Sequence, residues 1–210
     1  MLAQLVQLFE NRALVERIQK KLPYLFRIAE VENSRAGKVG MEVGSAREKI
    51  IVALLMYAFG EENVTADVPI AEPEVDVVLF GKPLSIKTIT GLRLGGVKLV
   101  WTVDAQKARG FAEGYFPRCD MLLVQVCWGT CGGLYYIPLE AQVEIFEKIG
   151  RSNYIKLPKL GTNPRGIEIT REALGLLVES HLSRKIGIDW QKVDIVYNPY
   201  KRWVDLWRED

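Results

Sequence analysis

Asp76 and Lys87 stand inside two otherwise apolar runs, VDVVLF over residues 75–80 and LSIKTI over residues 84–89. Both runs are rich in Val, Ile and Leu and are separated only by Gly81, Lys82 and Pro83, which reads as an antiparallel hairpin. A two-residue loop at Gly81-Lys82 sets Phe80 opposite Pro83 and Asp76 directly across from Lys87, with Cβ atoms about 5 Å apart on one face. Any even loop keeps the two on one face; an odd one turns Lys87 away. The pair is an acid and a base held together among Val75, Val77, Val78, Leu79, Leu84 and Ile86. A solvated cross-strand ion pair is worth under about 1 kcal/mol. Half-buried charges cost more than that unless something is gained, so the pair reads as functional rather than merely structural.

The elements around it must position that hairpin. GSAREKIIVALLMYAFG, residues 44–60, is a strong helix over 46–59, with Ser45 to Glu48 as a capping box and Gly60 as its end. Glu48 extends the stripe of Ile51, Leu55 and Ala58 one turn backwards, so it lies on the side of the helix that faces the sheet. Residues 2–30 read as an amphipathic helical region with Leu5, Leu8 and Phe9 on one face. Strands are expected at 75–80, 84–89, 97–103, 121–128 and 134–137, and helices at 105–113, 139–149, 171–185 and 200–208. The strands are apolar on both faces and need cover on both. The fold class is therefore mixed α/β: one central mixed β-sheet flanked by helices, with an N-terminal helical region.

Length and composition agree. At 210 residues, 49% hydrophobic and 26% charged, the chain suits one globular domain. It divides into a helical region and loop at 1–40, a core at 44–138, and helices and loops at 139–210. The longest apolar run, Ile50 to Phe59, is half of a bilayer span, and the N-terminus has no basic leader. No membrane partner and a cytoplasmic location are expected. Cys119, Cys127 and Cys131 have one histidine, His181, as company, a poor zinc set. The net charge of +2 means that an anionic partner must be met by local patches. Two tracts carry bases and no acid: Lys82, Lys87, Arg93 and Lys98 between Asp76 and Asp104, and Lys148, Arg151, Lys156, Lys159 and Arg165 between Glu147 and Glu168. Each reads as a stripe of phosphate contacts or as a solvated face.

An aspartate followed by an acid-x-Lys hairpin, after a helix carrying Glu, resembles the PD-(D/E)XK nucleases. Over residues 44–138 the helix, the hairpin and VKLVWTVDAQKA are similar to type II restriction endonucleases. The resemblance implies a restriction-endonuclease-like core in which Asp76 holds magnesium and Lys87 orients or activates the attacking water. It also implies the Ile86 backbone carbonyl as a metal ligand. The second acid departs from the pattern, because its position holds Ser85. Glu48 is the candidate to fill that role, the alternative being that it only caps its helix. The implied enzyme is a magnesium-dependent, sequence-specific double-stranded DNA endonuclease acting as a homodimer, with a companion DNA methyltransferase in the host. The particular enzyme resembled cuts the palindrome CGCG to blunt ends. A Holliday-junction resolvase or repair nuclease, or a catalytically silent DNA-binding module, are the other readings.

DNA contacts are expected from Arg93 in TGLRLGG and from Arg151, Asn153, Lys156, Lys159 and Arg165 in the RSNYIKLPKLGTNPR tract, reading bases or holding phosphates. GLRLGG lacks the Lys-Ser/Thr ending of a nucleotide-binding phosphate loop. Met41, between Gly40 and Gly44 just ahead of the Glu48 helix, reads as a wedge into a pyrimidine–purine step or as flexible filler. Trp203, Leu206 and Trp207 stand at helical spacing and are expected in the core more than at an interface.

Overall fold

A computed structural model describes residues 2–35, 38–39, 42–68, 74–100, 102, 104–157, 166–198 and 200–209. Two helices open the chain, α1 (Ala3–Glu10) and α2 (Arg12–Glu32). Asn11 divides them and caps α2, its side-chain oxygen accepting the Leu14 N–H at 3.2 Å. A two-residue ladder, β1 (Ser34–Arg35) with β2 (Lys38–Val39), leads to α3 (Val43–Phe59). This helix starts earlier than expected. Ser45 lies inside its first turn, no side chain caps it, and the expected capping box does not form. Tertiary contact holds the turn instead: Arg47 is buried against α2, where it meets Glu30. Gly60 ends α3 with a φ of 90°.

Then follow β3 (Val64–Thr65), β4 (Val77–Leu79), β5 (Lys82–Thr90), β6 (Val97–Val100), α4 (Ala105–Gly114), β7 (Asp120–Val126), β8 (Cys131–Ile137) and α5 (Leu139–Ile149). The chain closes with α6 (Arg151–Tyr154), β9 (Ile155–Lys156), β10 (Ile167–Ile169), α7 (Arg171–Glu179), β11 (Arg184–Asp189) and α8 (Lys201–Leu206). The central sheet is mixed and has the order β11-β8-β7-β5-β4-β3. Among the described strands only β5 and β7 run parallel, which requires the long connection through β6 and α4. The strand expected at 97–103 belongs elsewhere: β6 joins β10 and β9 in a small second sheet. The helix expected over 171–185 stops at Glu179. Alternating Ile186 and Ile188, both buried, make the following segment an edge strand.

β7 shows why helices cover both faces. Leu122, Val124 and Val126 pack with α1, α2 and α3, while Met121 and Leu123 pack with α4, α5 and α7. α8 departs from expectation: it buries no residue, and Trp203, Leu206 and Trp207 are exposed. No described helix is long and apolar enough to cross a membrane.

Candidate active site

The hairpin turns at Phe80 and Gly81, not at Gly81 and Lys82. Leu79 pairs with Lys82 and Val77 with Leu84. Phe80 and Gly81 both take positive φ, 49° and 73°, as a two-residue turn matched to strand twist requires. The register is thus two residues from the expected one, and the same face is kept because the loop remains even. Asp76 stands just ahead of the ladder, which begins with Val77 opposite Leu84, and its N–H donates to the Leu84 carbonyl at 3.1 Å. Lys87 lies three residues further along β5 and reaches back to it.

Three donors converge on a single oxygen. Asp76 Oδ2 accepts from the Lys87 ammonium at 2.8 Å, the Ile86 N–H at 2.6 Å and the Ser85 hydroxyl at 3.2 Å. Oδ1 takes part in none of these bonds. The serine that breaks the acid pattern therefore orients the aspartate. The side chains of Lys87 and Asp76 keep 16% and 19% of their surface, so the pair is open on one side. Within a strand, a residue's N–H and C=O point the same way. The Ile86 carbonyl therefore faces the edge beyond the start of β4, where its N–H meets Asp76.

Glu48 is half-buried on α3 within electrostatic reach of this pair. Burial and then Asp76 push its carboxyl above the ordinary range, against the pull of Lys87 and Lys49. Sequence reasoning missed a further acid, Glu74. It precedes Asp76 by two residues in PEVDV and lies within electrostatic reach of Asp76 and Lys87. Glu74 has a strained φ of 73°, and burial pushes its carboxyl up to about 7. The Tyr115 hydroxyl lowers it, as do Lys87 and Arg118, but Glu74 Oε1 and the Tyr115 oxygen are both buried without a partner in hydrogen-bond geometry.

Arg47, the neighbour of Glu48, was also missed. Its guanidinium donates to Glu30 at 2.5 Å and to Thr90 Oγ1 at 2.9 Å, and it lies 5.5 Å from the Phe26 ring. Trp128 Nε1 donates to the same Glu30 oxygen at 2.7 Å. This buried cluster ties α3 to α2 and to the ends of β5 and β7. It fixes the helix that carries Glu48 against the strand that carries Lys87.

The expected DNA contacts are scattered. Arg93 is exposed in the turn after β5. Arg151 Nε donates to the Tyr115 carbonyl at 3.2 Å, and Asn153 Nδ2 caps α5 through the Ile149 carbonyl at 2.8 Å. Lys156 and Lys98 both face Glu168 across the small sheet. A shallow depression of about 770 Å³ brings Arg109, Arg151 and Lys156 together beside Glu113. Met41, Lys159 and Arg165 lie outside the described residues.

The family model for restriction endonuclease ThaI matches residues 8–209. The chain belongs to the ThaI restriction endonuclease family. A solved structure described as a restriction endonuclease in complex with substrate DNA is 57% identical, with a TM-score of 0.92 over 98% of this chain and 99% of that one. No match is found among the curated proteins. Family membership makes the chain a nuclease and agrees with the mixed sheet flanked by helices. In this chain Asp76 and Lys87 meet at the hairpin, and α3 carries Glu48.

Proposed function

We propose that this chain is a magnesium-dependent type II endonuclease that cuts double-stranded DNA at CGCG to blunt ends, acting as a cytoplasmic homodimer. Asp76 carries the reading: one oxygen is saturated by three donors, the other lies outside that cluster, and Glu48 stands near. Two carboxylates around one lysine, with Glu74 behind them, leave an excess of negative charge that a hard divalent cation would balance. Among the described residues no three His, Cys, Asp or Glu side chains come together in metal-binding geometry. The proposed ligand set is Asp76, Glu48 and the Ile86 carbonyl, completed by water. Magnesium bound there would supply Lewis-acid activation of water and charge relief on the phosphate.

The protein's own groups do the rest. Lys87, anchored 2.8 Å from Asp76, presents its remaining N–H donors to the attacking water or a phosphate oxygen. Ser85 and the Ile86 N–H keep the Asp76 carboxylate from rotating, and Arg47 keeps Glu48 in place. Two such sites related by the two-fold axis of a palindrome call for a C2 dimer. Arg93, Arg151, Asn153, Lys156, Lys159 and Arg165 are the proposed DNA contacts, and Met41 the proposed wedge at a CG step.

Plasmid DNA digested with magnesium, with and without EDTA, tests this reading. Discrete fragments whose sequenced ends are blunt within CGCG, abolished by EDTA, are expected. Selective nicking of branched DNA would favour a resolvase, and the absence of cleavage a silent binding module.

A further inference from the structure

Between α4 and β7, residues 115–119 form neither helix nor strand, and burial alternates along them. Tyr115, Pro117 and Cys119 are buried, while Phe116 and Arg118 are exposed. The backbone is held at both ends. Tyr115 packs against the Phe111, Phe146 and Tyr154 rings, and its carbonyl accepts from Arg151 Nε at 3.2 Å. The Cys119 carbonyl accepts from Gln142 Nε2 at 2.8 Å, and β7 begins at the next residue, where Asp120 pairs with Leu84 of β5. Pro117 restricts its own backbone and that of Phe116. A segment anchored in this way presents Arg118 from a fixed point.

That point lies beside the Asp76–Lys87 hairpin. Cys119 Sγ is 4.0 Å from the Glu74 carbonyl, and Arg118 lines one cavity of about 140 Å³ with Glu74, Phe111, Tyr115 and Phe116. Glu74 in turn lies within electrostatic reach of Asp76, Lys87 and Arg118. It does not occupy the guanidinium: Glu74 Oε1 is buried without a hydrogen-bond partner, and among the described residues Arg118 has no hydrogen bond or ion pair. The planar fork of a free arginine matches two phosphate oxygens. Phosphodiester cleavage at the hairpin also needs charge relief on the phosphate, from groups already in place.

We propose that Arg118 is a phosphate-binding residue of the active site, its guanidinium holding a non-bridging oxygen of the scissile phosphate or of the phosphate next to it. This rests on the endonuclease reading and names a further group that meets its substrate.

Binding of a CGCG duplex in EDTA, read by fluorescence anisotropy, tests the contact without cleavage. Arg118→Ala should melt like wild type, bind about 10- to 100-fold more weakly, and flatten the salt dependence by about one phosphate's worth. Arg118→Lys keeps the charge and loses the fork, and should recover part of the affinity. Neutral methylphosphonates, placed at one phosphate at a time, locate the contact. At the scissile phosphate or its neighbour the replacement should weaken wild-type binding and weaken Arg118→Ala little further. Affinity of Arg118→Ala within twofold of wild type, or the same loss on every substituted duplex, would overturn the contact. A wild type that binds the duplex but does not cut it in magnesium would overturn the endonuclease reading, whereas the coupling would still establish or overturn the contact. A wild type that binds no duplex would overturn both.

Discussion

Two ion pairs meet around α3 and β5, and they are built in opposite ways. Arg47 and Glu30 are sealed: each is about 95% covered, Glu30 accepts from both Arg47 and Trp128, and Arg47 also binds Thr90. Asp76 and Lys87 are half-open, and all the donors fall on one aspartate oxygen. A sealed pair has nothing left to offer a ligand, and its removal leaves a buried charge. An open pair stores unused valence. The difference separates the residues that hold the site from those that would work in it, although Arg47 and Glu48 are neighbours in sequence.

Breaking the open side should cost activity and little stability. Glu48→Gln and Lys87→Ala are each expected to lower the cleavage rate by a factor of about 100 to 10,000. Their melting temperatures should fall less than that of Arg47→Ala, since Lys87 and Asp76 keep 16% and 19% of their surface in solvent and Glu48 is only partly buried. A rate within twofold of wild type in Glu48→Gln would remove the helix acid from the site.

Breaking the sealed side should do the reverse. Arg47→Ala strands Glu30 in the interior and should destabilise the fold by about 3–5 kcal/mol, read from urea denaturation. The double variant Arg47→Met with Glu30→Leu should recover much of that loss. Equal destabilisation by single and double variants would show that the pair, and not the stranded charge, is what matters.

Glu74 sharpens the contrast through pH. Its carboxyl holds a proton up to about 7, above its ordinary value of 4.5. The folded state therefore binds that proton more tightly than the unfolded state. Its contribution is complete below pH 4.5 and is lost as pH rises through about 7. In EDTA, Glu74→Gln should gain stability relative to wild type on going from pH 5 to pH 8. A difference that does not change with pH would mean that Glu74 is solvated.

The smallest effect is expected at the small sheet. Neutralising Lys156 should reduce the salt slope of DNA binding by about one unit if it holds a phosphate, and by nothing if Glu168 is its only business. Arg93→Ala should cost about 1–3 kcal/mol at a single G·C position, and uniform weakening on all sequences would make it a phosphate contact.

How much of this was legible depended on how local each signal is. The hairpin was readable because a period-two pattern survives a register error of two, so Asp76 and Lys87 stayed on one face although the turn was misplaced. The side of α3 on which Glu48 lies, within electrostatic reach of Asp76 and Lys87, was readable from its helical stripe in the same local way. Arg47 was invisible because nothing near it in sequence announces Glu30 or Trp128, which lie far along the chain and are joined only by packing. The capping box was misread because a good local cap is overruled when a buried arginine fixes the helix start. β11 was lost because its alternation amounts to two isoleucines, Ile186 and Ile188, just past the end of the expected helix at 185, and only pairing with β8 makes that short stretch a strand.

If the chemistry happens on the open side of Asp76, its carboxylate cannot be replaced by an amide. Single-turnover cleavage of a CGCG duplex by Asp76→Asn, in saturating magnesium, tests it most directly. The variant is expected to melt like wild type, still bind the duplex, and cleave at least about 1,000-fold more slowly. Cleavage within tenfold of wild type by a folded Asp76→Asn protein would contradict it.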